Sequence, residues 1–152
     1  MGRSYIGDIP NPTLRDFQRK RLYDAELACT FWDRLEILTR KQVTQLVNTI
    51  SVWANIDCPT ISYPPLYKNG GAAYATASNL VLPFSLSKSV PFICHEMAHV
   101  INYQRGPADH HGPYFATAYL EVVKTFIGNE DYWELRKSFD KQKVKYKEVG
   151  CV

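Results

Sequence analysis

The sequence predicts an α+β domain in which about five helices surround a small sheet of about three strands. Three observations carry that expectation. Apolar residues recur at helical spacing toward both ends of the chain. The middle turns β-prone and is punctuated by proline and glycine. One helix, apolar on nearly every side, carries two histidines and a glutamate. With 152 residues the chain fits a single domain, 1–152, large enough to bury its own core, with 1–12 and 142–152 as peripheral arms. An apolar fraction of 45% places it among globular chains, not disordered ones.

The first twelve residues read as a polar arm, because Pro10 and Pro12 resist helix. Thr13, with Asp16 three residues on, caps a first helix whose Leu14, Phe17, Leu22, Ala25, Cys29 and Trp32 recur at helical spacing. Thr39-Arg40-Lys41-Gln42 is a capping-box pattern. It opens a second helix on which Val43, Leu46, Val47, Ile50 and Trp53 form one stripe. Both stripes read as core-facing.

Thr60-Ile61-Ser62-Tyr63 is short and β-prone, Pro64-Pro65 interrupts it, and Asn69-Gly70-Gly71 signals a turn. Ala72 to Ala77 and Asn79 to Pro83 then read as two further strands. The second of these is either an internal strand or, given Pro83, an edge open to an extended peptide.

A third helix starts near Ser87 or Ser89, with Pro91 in its first turn, and runs to about Gln104. Its Val90, Phe92, Ile93, Met97, Val100 and Ile101 leave little polar face, so it is expected to be buried at the centre of the fold. Residues 105–110 form a loop. His111-Gly112-Pro113 opens a fourth helix, Gly128 ends it, and a fifth runs from Asn129 to about Lys141 into a lysine-rich tail.

The composition narrows the remaining classes. A net charge of +3 points to no particular partner. No apolar run approaches the ~20 residues of a membrane span, so no membrane partner is expected. The N-terminus lacks the apolar core of a secretory signal, and Ile6 stands where a myristoylation pattern needs Ser or Thr. Cys29, Cys58, Cys94 and Cys151 form no C-x-x-C pair and read as reduced thiols, in keeping with a cytoplasmic protein. Arg15, Arg19, Lys20 and Arg21, like the C-terminal lysines, read as solvated surface. Were the two stretches to meet they could contact nucleic acid, but the interleaved Asp16, Asp24, Asp140 and Glu148 dilute that signal.

The chemistry concentrates in seventeen residues, which hold all four histidines: His95, His99, His110 and His111. His95-Glu96-Met97-Ala98-His99 is an H-E-x-x-H motif. On a helix, positions i and i+4 share a face about 6 Å apart, so both imidazoles can bind one Zn²⁺ while Glu96 reaches water beside the metal. Catalytic zinc usually keeps a third protein ligand. Arg105 stands where a metzincin would carry histidine, and Glu121 lies in mid-helix. His111 is the preferred third ligand because Gly112-Pro113 fixes the backbone beside it; His110 is its rival. His110 or Asp109 could then orient a metal-bound imidazole. Cys94 points ~100° away around the helix and belongs to the core.

These groups predict a zinc hydrolase, most naturally a peptidase. Zinc lowers the pKa of water to ~7, and Glu96 acts as the general base on it. An oxyanion donor is also needed, for which Tyr103 and Tyr114 are the nearby candidates. The expected partner is a protein or peptide substrate. The alternative is a zinc-containing binding or regulatory protein without turnover, against which the intact Glu96 argues.

The run from His95 to Gly128, with H-E-M-A-H-V-I-N-Y followed by H-G-P-Y-F-A-T-A-Y-L-E-V-V, resembles small uncharacterised metallohydrolases of actinobacteria and phages. The first helix, L-R-D-F-Q-R-K-R-L-Y-D-A-E, is also similar to theirs. More distantly, H-E-x-x-H followed by H-G-x-x-F is similar to SprT-like and other small gluzincin-like proteases. The resemblance implies a zincin-like fold, His95, His99 and His111 as zinc ligands, and Glu96 as the base. Tyr114 stands where the closer family is expected to carry an acidic residue after H-G-P.

Overall fold

The computed structural model describes residues 16–33, 36–65, 72–83 and 88–148. Among these residues five α-helices follow in order: α1 (Arg19–Leu27), α2 (Arg40–Ala54), α3 (Val90–Arg105), α4 (Pro113–Phe126) and α5 (Asn129–Lys141). Three short strands, β1 (Thr60–Ser62), β2 (Tyr74–Ala75) and β3 (Asn79–Val81), lie between α2 and α3. The architecture is α+β, with helices around a small mixed sheet, as the sequence predicts. No helix among the described residues is long and apolar enough to cross a membrane.

The first helix is shorter than its apolar pattern. Residues 17 and 18 form a turn, the helix starts at Arg19, and Cys29 and Trp32 fall in a turn and a 3-10 segment, Thr30–Asp33. Thr13 and Leu14, the expected cap and first stripe residue, lie outside the described residues. The helix is cut off by α5: the Glu134 carboxylate accepts from the Thr30 amide at 2.9 Å and from its hydroxyl at 3.0 Å. Nine residues fall below the ~12–15 that an isolated helix needs, so packing must hold α1 in place. Leu22 and Ala25 are fully buried, and Ser138 of α5 donates to the Ala25 carbonyl at 2.7 Å.

α2 begins with the capping box that its sequence encodes. Thr39 Oγ1 accepts from the Gln42 amide at 3.1 Å, and the Gln42 side chain accepts from the Thr39 amide at 2.9 Å. Val43, Val47 and Ile50 are buried, whereas Trp53, the last residue of the predicted stripe, is 40% exposed.

The sheet has the order β1-β3-β2. β1 pairs with β3 in parallel, Ile61 opposite Leu80, and β2 pairs with β3 antiparallel, Ala75 opposite Leu80. The segment Asn79–Pro83 is therefore the central strand, and its reading as an edge for an extended peptide is overturned. Pro83 raises no conflict, because β3 ends at Val81 and the proline stands outside the ladder. The strand expected over 72–77 contracts to Tyr74–Ala75, since the Thr76 hydroxyl accepts from the amides of Ser78 and Asn79 and turns the chain early. Asn69-Gly70-Gly71 lies outside the described residues.

α3 is the centre of the molecule, in contact with α2, α4, β2 and β3. Ser89 caps it, accepting from the Phe92 amide, and Pro91 occupies the first turn. Ser87 lies outside the described residues. Ile93, Cys94, Met97 and Val100 are fully buried, each apolar side chain contributing roughly 1.5–3 kcal/mol relative to exposure. The helix stops at Gly106, whose φ of 63° with ψ of 167° is a combination essentially confined to glycine. Cys29, Cys58 and Cys94 are free thiols, and Cys151 lies outside the described residues.

Candidate metal centre

The loop after α3 turns the chain back toward the face it has just left. Asn102, 3% exposed and three residues beyond His99, donates to the Pro107 carbonyl at 3.0 Å and accepts from the Asp109 amide at 3.3 Å. Asp109 then accepts from the amides of Tyr114 at 2.7 Å and Phe115 at 3.1 Å. It thereby supplies the cap that the side-chain-less Gly112 cannot. The glycine is required: a Cβ on Gly112 would lie 2.6 Å from Asp109 Oδ2. His110 sits in the turn at φ 58°, and His111, the next residue, points back over α3.

This path brings together His95, His99 and His111, with one nitrogen from each within 4.8 Å of the others. The ring centroids lie 5.1 Å apart for His95 and His99, 4.7 Å for His99 and His111, and 5.7 Å for His95 and His111. Two nitrogens that share one zinc at ~2.0–2.1 Å each are at most ~4.2 Å apart, so small side-chain adjustments close the set. The three histidines are close enough to hold a metal ion, and the predicted trio is the one that converges. His110 is not part of it. Glu121 lies elsewhere, 3.6 Å from Arg105.

The outer nitrogens of the set test whether a metal fits. His95 Nδ1 is 2.6 Å from Glu26 Oε2, and His111 Nδ1 is 2.8 Å from Asp16 Oδ2. A carboxylate accepts only, so both Nδ1 atoms carry the proton, and in the neutral imidazole each Nε2 presents a lone pair. Tyr119 also donates to Glu26 Oε2. The Asp16 carboxylate takes a second bond from the His111 amide at 3.1 Å. Metal-binding imidazoles are characteristically tied in this way. His99 differs: its Nδ1 is sealed from solvent and has no hydrogen-bond partner among the described residues, and its ring stacks on Phe115 at 4.1 Å.

Charge follows the same logic. Burial pushes His99 well below the ordinary histidine value, and the imidazoles of His111 and His95 push the same way. Burial also lowers His111, outweighing the pull of Asp16. Burial opposes charge on His95 as well, but the charge and hydrogen bond of Glu26 win and raise it. Asp16 is held below the usual carboxylate range, because its bonds from His111 outweigh its desolvation. Glu96, 7% exposed, is raised mainly by burial. Nothing among the described residues donates a hydrogen bond to its carboxylate.

Four contributors to the site escape the sequence reading, and all come from residues 16–27: Asp16, Glu26 and Tyr23 at the imidazoles, and Gln18 at the His111 carbonyl. The Tyr23 hydroxyl lies 3.2 Å from His111 Nε2. Burial, followed by the nearby Glu96, Glu26 and Asp16 carboxylates, pushes its phenol up to about 12. The signal for Glu26 was present, since it shares the stripe of Leu22, Ala25 and Cys29 at helical spacing, and a carboxylate on a buried face must find a partner. The orienting role expected of Asp109 or His110 is overturned: Asp109 spends its oxygens on the α4 amides. Tyr103 stacks 6.2 Å from His99, and Tyr114, 41% exposed, lies under Lys147. Cys94 is core, as expected. The chain matches no protein-family model, no curated protein and no solved structure, so the site stands on its own geometry.

Proposed function

We propose that this chain is a zincin-like, zinc-dependent hydrolase of amide bonds in proteins or peptides. The observation that carries the reading is the convergence of three imidazoles beside a buried carboxylate, two of them with their outer nitrogens fixed by acids. His95, His99 and His111 would hold the ion, and a neutral all-nitrogen donor set suits zinc. Bound zinc supplies Lewis acidity, polarising a carbonyl and lowering the pKa of water toward ~7.

The remaining work falls to the chain. Glu26 and Asp16 keep the imidazoles in the tautomer that presents Nε2. Glu96 takes a proton from the attacking water at its carboxylate and delivers it to the leaving amine nitrogen. Phe115, stacked on His99, keeps water from the rear of the site.

The test is Glu96→Gln, which keeps the shape and removes the proton acceptor. Zinc content and melting temperature should stay near wild type, while turnover of a peptide library or casein falls by about 10² or more. Wild-type protein that holds zinc but cleaves nothing, chelator present or absent, would remove the hydrolase reading. A zinc-dependent binding function would then take its place.

A further inference from the structure

We propose that Tyr23 is a catalytic residue, whose phenol donates to the oxygen that becomes negative when the amide carbonyl is attacked. Its O–H lies 3.2 Å from His111 Nε2, a nitrogen of the converging trio. The inference rests on the hydrolase reading above.

The direction of the Tyr23–His111 bond is fixed by its surroundings. Asp16 holds the proton on His111 Nδ1, leaving Nε2 as a lone pair, so the phenol is the donor across the 3.2 Å contact. That lone pair is the one that converges with His95 and His99. An ion held by the three imidazoles would take that lone pair, and the neighbouring O–H would then be available to an oxygen bound beside it.

A donor for a developing oxyanion must be rigid, close to the reacting centre and open to substrate. Tyr23 lies close to the centre and is partly exposed. Its ring stands edge-on to His111 at 5.0 Å and lies 6.0 Å from His95. It is 38% exposed, whereas His95 and His111 are 6% and 7% exposed. Tyr119 is fully buried and its hydroxyl is committed to Glu26, which removes it from this role. Donation changes no covalent bond: the proton stays on the phenol while the charge on the carbonyl oxygen grows and collapses.

The test is Tyr23→Phe in the full chain loaded with zinc, read by turnover and by zinc affinity in competition with a chromophoric chelator. Loss of one such donor lowers kcat by about 10²–10³, with KM little changed. Zinc affinity should hold within a few-fold, because Tyr23 is not one of the three converging ligands. Turnover within about twofold of wild type would overturn the proposal, as would zinc binding tenfold weaker, which would make Tyr23 an anchor for the metal. If wild type is active, Glu96→Gln is dead and Tyr23→Phe is fully active, only the Tyr23 assignment fails. If wild type itself cleaves nothing, the hydrolase reading fails and takes this one with it.

Discussion

α3 and the segment 16–27 serve the same centre in opposite ways. α3 carries its chemistry as a contiguous motif inside an otherwise buried, apolar helix, with His95 and His99 one turn apart. Segment 16–27 carries Arg19, Lys20 and Arg21, and its contributions to the site, Asp16, Gln18, Tyr23 and Glu26, are scattered between such residues. The difference is physical. Two ligands on one helix must stand i and i+3 or i and i+4 apart to share a metal, so their spacing is constrained. An orienting carboxylate has only to reach one N–H, so any element that packs alongside can supply it from any position.

The largest test of this contrast removes a ligand. His99→Ala or His111→Ala should abolish tight zinc binding, measured as zinc per chain after dialysis, whereas His110→Ala should leave it intact. Loss of zinc through His110 would move the third ligand by one residue. Zinc held by this trio would tie α3 to the residue just before α4, so chelation should also lower the melting temperature. Occupancy at a hundredfold over Kd is worth about 2.7 kcal/mol.

Next come the supports. Glu26→Gln and Asp16→Asn keep shape and remove charge, and substitutions of this kind typically weaken metal binding by about 10–100-fold. Glu26 should matter more, because its side chain is 4% exposed against 22% for Asp16, where water can substitute. An equal loss at both sites would show that burial does not rank them. Glu26→Gln makes a second prediction in zinc-free protein. The carboxylate raises His95 against the opposing effect of burial. With a neutral amide burial is opposed only by the smaller effect of Glu96, so the His95 titration followed by NMR should move to lower pH; an unmoved titration would detach the two residues.

The same contrast explains what the sequence reveals. The α2 capping box, the α3 N-cap at Ser89, and the span of α5 are set by local rules, and the observed elements follow them. So is the convergence of His111, because a short loop leaves it few directions. The end of α1 depends on Glu134, more than a hundred residues away, and no local pattern encodes it. The order of the sheet is equally non-local, since β3 pairs with both neighbours although its sequence, ending at Pro83, also fits an edge. Glu26 lies between these cases. Its place on an apolar stripe marks it as buried, but only the partner His95 explains why.

Gln18 gives the smallest effect on the metal and the sharpest separation of orientation from scaffold. It sits one turn before Leu22 on the same stripe and is fully buried. Its amide donates to the carbonyls of His111 and Lys145, both at 2.9 Å, and its oxygen accepts from the Lys145 amide at 2.8 Å. The side chain thus straps the C-terminal segment to the residue that carries a ligand, but it touches no ligand nitrogen. Gln18→Ala strands backbone groups that water reaches poorly, a loss of roughly 1–3 kcal/mol. In a chain of this length each kcal/mol moves the melting temperature by about 2–4 °C. Zinc affinity should fall less than in Glu26→Gln, because both Nδ1 bonds survive. Melting curves with and without chelator, beside a zinc titration, separate the two effects. If Gln18→Ala loses as much zinc affinity as Glu26→Gln, backbone position at His111 controls the centre as strongly as the tautomer does, and the division between ligand helix and supporting segment breaks down.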